Sequence, residues 1–280
     1  MERRTQPARP VRNSEGELGL AKEWIFDTPA TRDFAAARQA VIRQLVSAVR
    51  KNEPLSSALD VGCGVGYFSA FLSEMDFRVV AVDGRQENID EAKLRHPAIT
   101  FLTSDAEFLS PNEVGTFDFV LCVGLLYHLE NPFRAIRNLY ALTDKVLFIE
   151  SAIASGDTPT LQFLDEPALE DQGLNYISVY PTESSLLKML YRAGFQFVYT
   201  FATLPAFPLF QDTKTRKRER TLVVAAKQPL AAPNLILAGE PKCAFDFWSV
   251  PARGLGARAV SFVRWFISTL KVQPIRSRDK

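Results

Sequence analysis

Residues able to do chemistry fall at four places along this 280-residue chain. Tyr127 and His128 stand side by side after an apolar run. Tyr127 offers an aromatic face and a hydroxyl. His128 has an unperturbed pKa near neutrality, so it suits proton removal from a hydroxyl or amine. Asp83 ends a short apolar run, where a carboxylate can accept hydrogen bonds from ribose hydroxyls, and Asp105, just after the next run, could contact the adenine end of a ligand. Gly62, Gly64 and Gly66 alternate with Cys63 and Val65, and Asp60 comes just before them. Glycines take up positive φ without steric cost and let a ligand approach the backbone. A helix starting there would add unpaired N–H groups. Each feature has a plainer counterpart: a glycine turn, a helix cap at Asp83 or Asp105, a histidine bonding its own loop. Together they point to a nucleotide-like ligand beside a group that moves a proton.

The elements that would position these residues alternate strand with helix. Apolar runs predict strands at 58–61, 78–82, 99–102, 117–123 and 146–150, with helices at 66–75, 86–95 and 132–142. Strands apolar almost throughout are buried on both faces, as in a parallel sheet covered by helices. Right-handed crossovers then give an open, doubly wound α/β sheet. Ahead of it, Phe34, Ala37, Val41, Leu45 and Val49 repeat at helical spacing and predict a helix over 33–51. The alternation breaks at 151–182, where prolines and acidic residues predict a long loop or small cap over the site. A helix at 183–192, stopped by Gly194, and strands at 196–203 and 220–227 predict an antiparallel hairpin at the sheet edge.

Bulk properties exclude several classes. The chain is 47% hydrophobic and 23% charged with a net charge of +1, which gives no global reason for nucleic acid or anionic membrane as partner. Three separated cysteines and two histidines support neither a disulfide framework nor a metal site. No signal peptide or transmembrane run is expected, and a cytoplasmic location follows.

The loop Leu59-Asp60-Val61-Gly62-Cys63-Gly64-Val65-Gly66 resembles motif I of the class I S-adenosylmethionine-dependent methyltransferases. Val80-Ala81-Val82-Asp83 resembles their acidic second motif, Ser104-Asp105-Ala106 their adenine-side motif, and 117–123 their fourth strand. The resemblance covers about residues 55–227 and implies a mostly parallel seven-stranded sheet. It also implies S-adenosylmethionine as cofactor, held by Asp60, Gly62, Cys63, Gly64, Gly66, Asp83, Gly84, Asp105, Ala106, Val123 and Tyr127. His128 and Tyr127 would be the catalytic pair, acting on an oxygen or nitrogen of a small or medium-sized acceptor, with no metal.

Tyr127-His128 and the stretch from Asn175 to Thr182 are similar, within that superfamily, to the tRNA wobble-uridine carboxymethyl transferases, which use carboxy-S-adenosylmethionine. This resemblance implies that Arg220, with Tyr127, faces an extra carboxylate, and it makes tRNA an alternative partner; Tyr176 and Tyr180 are placed with Arg220 on the substrate side. The N-terminal tryptophan- and lysine-containing segment of that group has no clear match, so plain S-adenosylmethionine is the expected cofactor. An inactive scaffold that keeps the cofactor fold is a third reading.

The expected organisation is a flexible arm at 1–20, a methyltransferase domain at 21–228 with the 151–182 insertion, and an extension at 229–280. Ala259, Val263, Phe266 and Leu270 predict an amphipathic helix in that extension. It would pack on the domain or a partner; peripheral membrane contact is the lesser reading. The basic run 214–220 is expected as a solvated loop, with an RNA-phosphate grip as its alternative.

Overall fold

The computed structural model describes residues 24–169 and 171–242 in full, and residues 10–12 and 18–20 by their backbone. The chain divides into a unit of residues 1–241 and a second unit, 242–280. The helix expected around 259–270 lies outside the described residues. Within the predicted arm, β1 (Pro10–Arg12) and β2 (Leu18–Leu20) pair antiparallel.

The main sheet has eight strands. β3 (Ser57–Val61), β4 (Arg78–Asp83), β5 (Thr100–Thr103), β6 (Phe117–Val123) and β7 (Thr143–Ala152) run parallel. β8 (Leu161–Asp165) and β9 (Ile177–Pro181) form a separate antiparallel hairpin. β10 (Phe197–Phe201), β11 (Arg220–Ala226) and β12 (Leu235–Leu237) complete the main sheet in antiparallel sense. The order is β12-β10-β11-β7-β6-β3-β4-β5. This is the doubly wound, mostly parallel architecture expected. β12 adds an eighth strand from a stretch whose composition predicts an extension outside the domain.

Helices cover both faces. α1 (Pro29–Val49) and α2 (Tyr67–Glu74) pack Ile42, Leu45, Val46, Phe71 and Leu72 against one face, with Phe119 and Phe148 beneath them. Burying each such side chain contributes roughly 1.5–3 kcal/mol. α3 (Gln86–Arg95) and the short α4 (Pro111–Val114) follow β4 and β5. α5 (Pro132–Leu142) and α6 (Glu183–Ala193) cover the other face through Ile136, Leu139, Leu186 and Leu190.

Local chemistry sets the helix ends. The Thr28 hydroxyl accepts from Thr31 N–H with Pro29 in the first turn, and Thr182 accepts from Ser185 N–H at 3.2 Å. The buried stripe of α1 differs by about one position from the predicted one. It runs through Ala35, Arg38, Ile42, Leu45, Val46 and Val49, so it carries an arginine inward.

β3 and β6 are neighbours while the chain leaves them in opposite directions across the sheet. The crevice at their carboxyl ends is where an open α/β sheet binds ligands.

Candidate active site

The sheet's carboxyl edge opens into a cavity of about 560 Å³. Its floor is the loop after β3, in which Gly62, Gly64 and Gly66 have φ of 78°, 53° and 88°. Gly62 and Cys63 donate to the Val82 carbonyl at 2.8 and 3.0 Å. Asp83 ends β4, and its carboxylate ties the loop after β3 to the start of α3. Oδ2 accepts from Gly64 N–H at 2.9 Å, and Oδ1 accepts from Arg85 N–H at 2.9 Å and from the Asn88 amide at 3.1 Å.

Behind Tyr127 lies a buried charge cluster that the sequence reading missed apart from Arg220. Glu150, near the end of β7, is fully buried. Its Oε1 accepts from Arg220 at 2.8 Å and its Oε2 from Arg38 at 3.0 Å. Arg220 also donates to the Tyr127 hydroxyl at 2.7 Å, fixing the ring at the cavity wall. The Arg38 guanidinium lies 3.8 Å from the Phe34 ring centroid, with Arg220 5.1 Å from the same ring. Burial pulls the Arg38 pKa down, Glu150 opposes that, and Arg220 adds to it. For Arg220, burial works against the charge, but Glu150 and Tyr127 outweigh it and the pKa rises. Burial also pushes the Tyr127 phenol up, so Tyr127 stays protonated.

His128 sits in the turn after β6, its ring 4.0 Å from that of Tyr127. Its Nδ1 is 2.6 Å from Glu166 Oε1, and both side chains are largely buried. Burial lowers the His128 pKa, and Glu166 pulls against that. Burial thus favours the neutral imidazole, with Nδ1 facing the Glu166 carboxyl group.

The 151–182 segment forms the β8–β9 hairpin and a tip that reaches over the cavity. Asp171, Gln172, Gly173, Leu174 and Tyr180 line it. Arg85 Nη2 holds the tip through the Gln172 and Gly173 carbonyls at 3.1 and 3.0 Å. A Cβ on Gly173 would come within 2.4 Å of the His128 carbonyl oxygen. Only glycine permits that approach.

The expected site residues divide accordingly. Gly62, Cys63, Gly64, Asp83, Gly84, Ala106, Val123, Tyr127, His128, Tyr180 and Arg220 line the cavity. Asp60, Gly66, Asp105 and Tyr176 do not. Asp60 is buried beneath the loop, where Oδ2 accepts from Ser69 Oγ at 2.6 Å. Burial, followed by the nearby Asp83, lifts its pKa to about 7. Gly66 is the N-cap of α2, and a Cβ there would meet His96 and Phe101. Asp105 uses Oδ1 on Glu107 N–H at 2.9 Å within its own turn, leaving Ser104 and Ala106 at the wall. Tyr176 is half-exposed at a positive φ of 56°, with its carbonyl accepting from Glu166 N–H. Cys63 is no nucleophile, because burial and then the charges of Asp60 and Asp83 raise its thiol pKa.

Phe26, Phe34, Arg38, Leu174 and Phe207 also line the cavity. The one available signal was Arg38 itself, which interrupts the apolar stripe of α1. Among the described residues, no cluster of His, Cys, Asp and Glu could hold a metal ion, and no helix is long and apolar enough to cross a membrane.

A doubly wound sheet with a glycine loop after its first parallel strand and an acidic residue ending the next defines a Rossmann-like ligand-binding domain. The profile described as a methyltransferase domain matches residues 34–200, and the chain belongs to that family. Nodulation protein S of Bradyrhizobium diazoefficiens is 30% identical over 141 residues, spanning 48% of this chain and 66% of that protein. Ubiquinone biosynthesis O-methyltransferase of Rickettsia canadensis is 38% identical over 85 residues, spanning 29% of this chain and 35% of that one. The chain thus spans less than two thirds of the length of either relative.

Among solved structures, the N-terminal domain of EvdMO1, crystallised in the presence of SAH and D-fucose, superposes with a TM-score of 0.56 at 20% identity. That match covers 79% of this chain and 91% of that one. An S-adenosylmethionine-dependent methyltransferase from Mesorhizobium loti gives 0.51 at 18% identity, covering 69% and 99%. At these identities the likeness shows the fold.

Proposed function

We propose that this chain is an S-adenosylmethionine-dependent methyltransferase acting on an oxygen or nitrogen of a small or medium-sized acceptor. The observation that carries the reading is the cavity itself. It joins the Gly62–Gly66 loop and Asp83 to Tyr127 and His128 within one wall-to-wall space, in a chain of the methyltransferase domain family.

The residues fit the cofactor. Asp83 supplies a carboxylate for hydroxyl donors at the end of β4. The φ of 53° at Gly64 and its closeness to the Phe26 ring, 3.1 Å from a Cβ placed there, leave no room for a side chain on that floor. Arg38 lines the cavity as a buried guanidinium that shares Glu150 with Arg220. It would hold an amino-acid carboxylate. Bound there, S-adenosylmethionine supplies a methyl group on a positively charged sulfur.

The chain's own residues do the rest. Phe26, Phe34, Tyr127, Tyr180 and Phe207 exclude water and align the acceptor, and alignment is a large part of the acceleration in a displacement. His128 takes the acceptor's proton, which adds a factor of roughly a hundred to ten thousand. The 151–182 cap covers the acceptor and sets its size.

The carboxymethyl transferase reading rests on the Arg220–Tyr127 contact, 2.7 Å long. Against it, Arg220 is already engaged at 2.8 Å by Glu150, a carboxylate it shares with Arg38. In the basic run, Arg216, Arg218 and Arg220 pair with Glu219, Glu183 and Glu150, while Lys214 and Lys217 are exposed and no aromatic residue interleaves them to stack a base. Calorimetry with S-adenosylmethionine, S-adenosylhomocysteine and carboxy-S-adenosylmethionine tests both readings. Micromolar binding of the first two supports ours, a strong preference for the third replaces it, and no binding of any removes both in favour of a scaffold.

A further inference from the structure

Glu166 is unlike its neighbours. The five residues of β8 before it are exposed, yet its side chain is only 5% exposed. Its backbone N–H donates to the Tyr176 carbonyl at 2.9 Å, holding residue 166 at the root of the cap's tip. From there the two carboxylate oxygens have different partners. Oε1 meets His128 Nδ1 at 2.6 Å, and Oε2 accepts from Gly173 N–H at 2.7 Å. One buried carboxylate thus joins the cap's tip to the turn that bears His128.

The tautomer follows from this contact. An ionised carboxylate only accepts, so the neutral imidazole must carry its proton on Nδ1. Its lone pair then lies on Nε2. If Nε2 takes a proton, the ring becomes a cation 2.6 Å from Glu166, and the proton on Nδ1 stays where it was. The proton gained is released to water afterwards, so the side chain returns unchanged. Burial makes His128 a weaker base, and the adjacent carboxylate counters part of that. The other charged or titratable groups facing the ring are Arg220, which disfavours the cation, and Asp171, which favours it. Tyr127 packs against the ring, and Tyr180 packs edge-on to Tyr127 at 5.2 Å.

We propose that Glu166 is a positioning residue for His128, fixing its tautomer and basicity, and that the base is set only while the cap is seated on the cavity. This rests on His128 being the base in the proposed reaction. The cap also reaches the cofactor side, through Arg85 to the Gln172 and Gly173 carbonyls and through Leu174 against Gly84. Acceptor coverage and base activation are therefore one event.

The test needs no acceptor, because the chain has two histidines and His96 serves as internal control. Long-range proton–nitrogen NMR on 15N-histidine protein reads both tautomer and titration. The wild type should show His128 with Nδ1 protonated. Glu166→Gln, which keeps an acceptor but removes the charge, should lower the His128 midpoint by about one pH unit or more. Glu166→Ala should mix the tautomers, with His96 unmoved in both variants. Arg85→Ala, which loosens the cap but keeps Glu166, should shift His128 part of the way.

An unchanged His128 in the two Glu166 variants overturns the positioning role, and an unchanged His128 in Arg85→Ala overturns the link to the cap. Far-ultraviolet circular dichroism on the same samples establishes folding. Calorimetry of the wild type with S-adenosylhomocysteine is a separate readout: its failure removes the methyltransferase reading and leaves the NMR result standing.

Discussion

Gly64 donates its backbone N–H to Asp83 Oδ2 at 2.9 Å, so the glycine loop after β3 is fastened to the last residue of β4. A carboxylate that both braces a loop and faces a cavity sets the loop's shape and the ligand's orientation together.

Asp83→Ala removes that brace and the acceptors for Arg85 and Asn88. Affinity for S-adenosylhomocysteine should fall tenfold or more by calorimetry, about 1.4 kcal/mol at the lower bound. Asp83→Asn, which keeps one acceptor oxygen, should lie between. Unaltered affinity in the alanine variant would assign Asp83 to the loop alone.

Glu150→Gln leaves Arg38 and Arg220 facing each other without their shared counter-charge. Removing one side of a buried ion pair costs about 3–5 kcal/mol, so urea unfolding should show a loss of that order. A change below about 1 kcal/mol would mean that water reaches the cluster.

Asp60 gives a pH dependence whose sign follows from its raised pKa. The folded protein holds this proton up to about pH 7, whereas the unfolded chain releases it near 3.8. The stabilising effect of the protonated form is complete below the unfolded value and is lost as pH rises through about 7. Chemical denaturation between pH 4 and 8 should therefore show a falling contribution that Asp60→Asn abolishes. A variant with the wild-type slope would place the titration elsewhere.

Gly173→Ala puts a methyl group against the His128 carbonyl oxygen, 2.4 Å away before any adjustment. The cap must lift, and overpacking of this kind costs about 1–3 kcal/mol. Hydrogen exchange should accelerate across residues 161–176 and stay constant in β3 and β6. Uniform protection would show that the cap yields without opening.

His128→Ala should leave S-adenosylhomocysteine affinity within about twofold, since the cofactor's side of the cavity is built from other residues. Turnover of an identified hydroxyl acceptor should drop by roughly a hundredfold or more. Parallel loss of binding and turnover would make His128 structural.

The layout of the sheet was legible because buried parallel strands leave unbroken apolar runs and the glycine loop is followed by a carboxylate at the end of the next strand. What escaped notice depends on contacts distant in sequence. Glu150 ends an apolar strand and looks like a boundary residue until Arg38, 112 positions earlier, is found against it. Glu166 sits in an acidic, proline-bearing stretch with no periodicity, and its pairing with His128 depends on how a hairpin folds back. Asp105 could be read two ways. Its place after a strand suggested a ligand contact, but an aspartate there can equally bond its own turn, and here it does.

β11 lies between β7 and β10, although the chain makes β10 first. During synthesis, β7 and β10 must therefore wait with open edges until residues 220–226 have emerged. Arg220, the first residue of β11, arrives in that same step, so the strand that seals the sheet also completes the charge cluster. A ribosome-bound chain stopped short of residue 220 would leave one edge of β7 and both edges of β10 unpaired, and a buried-type carboxylate with half its partners.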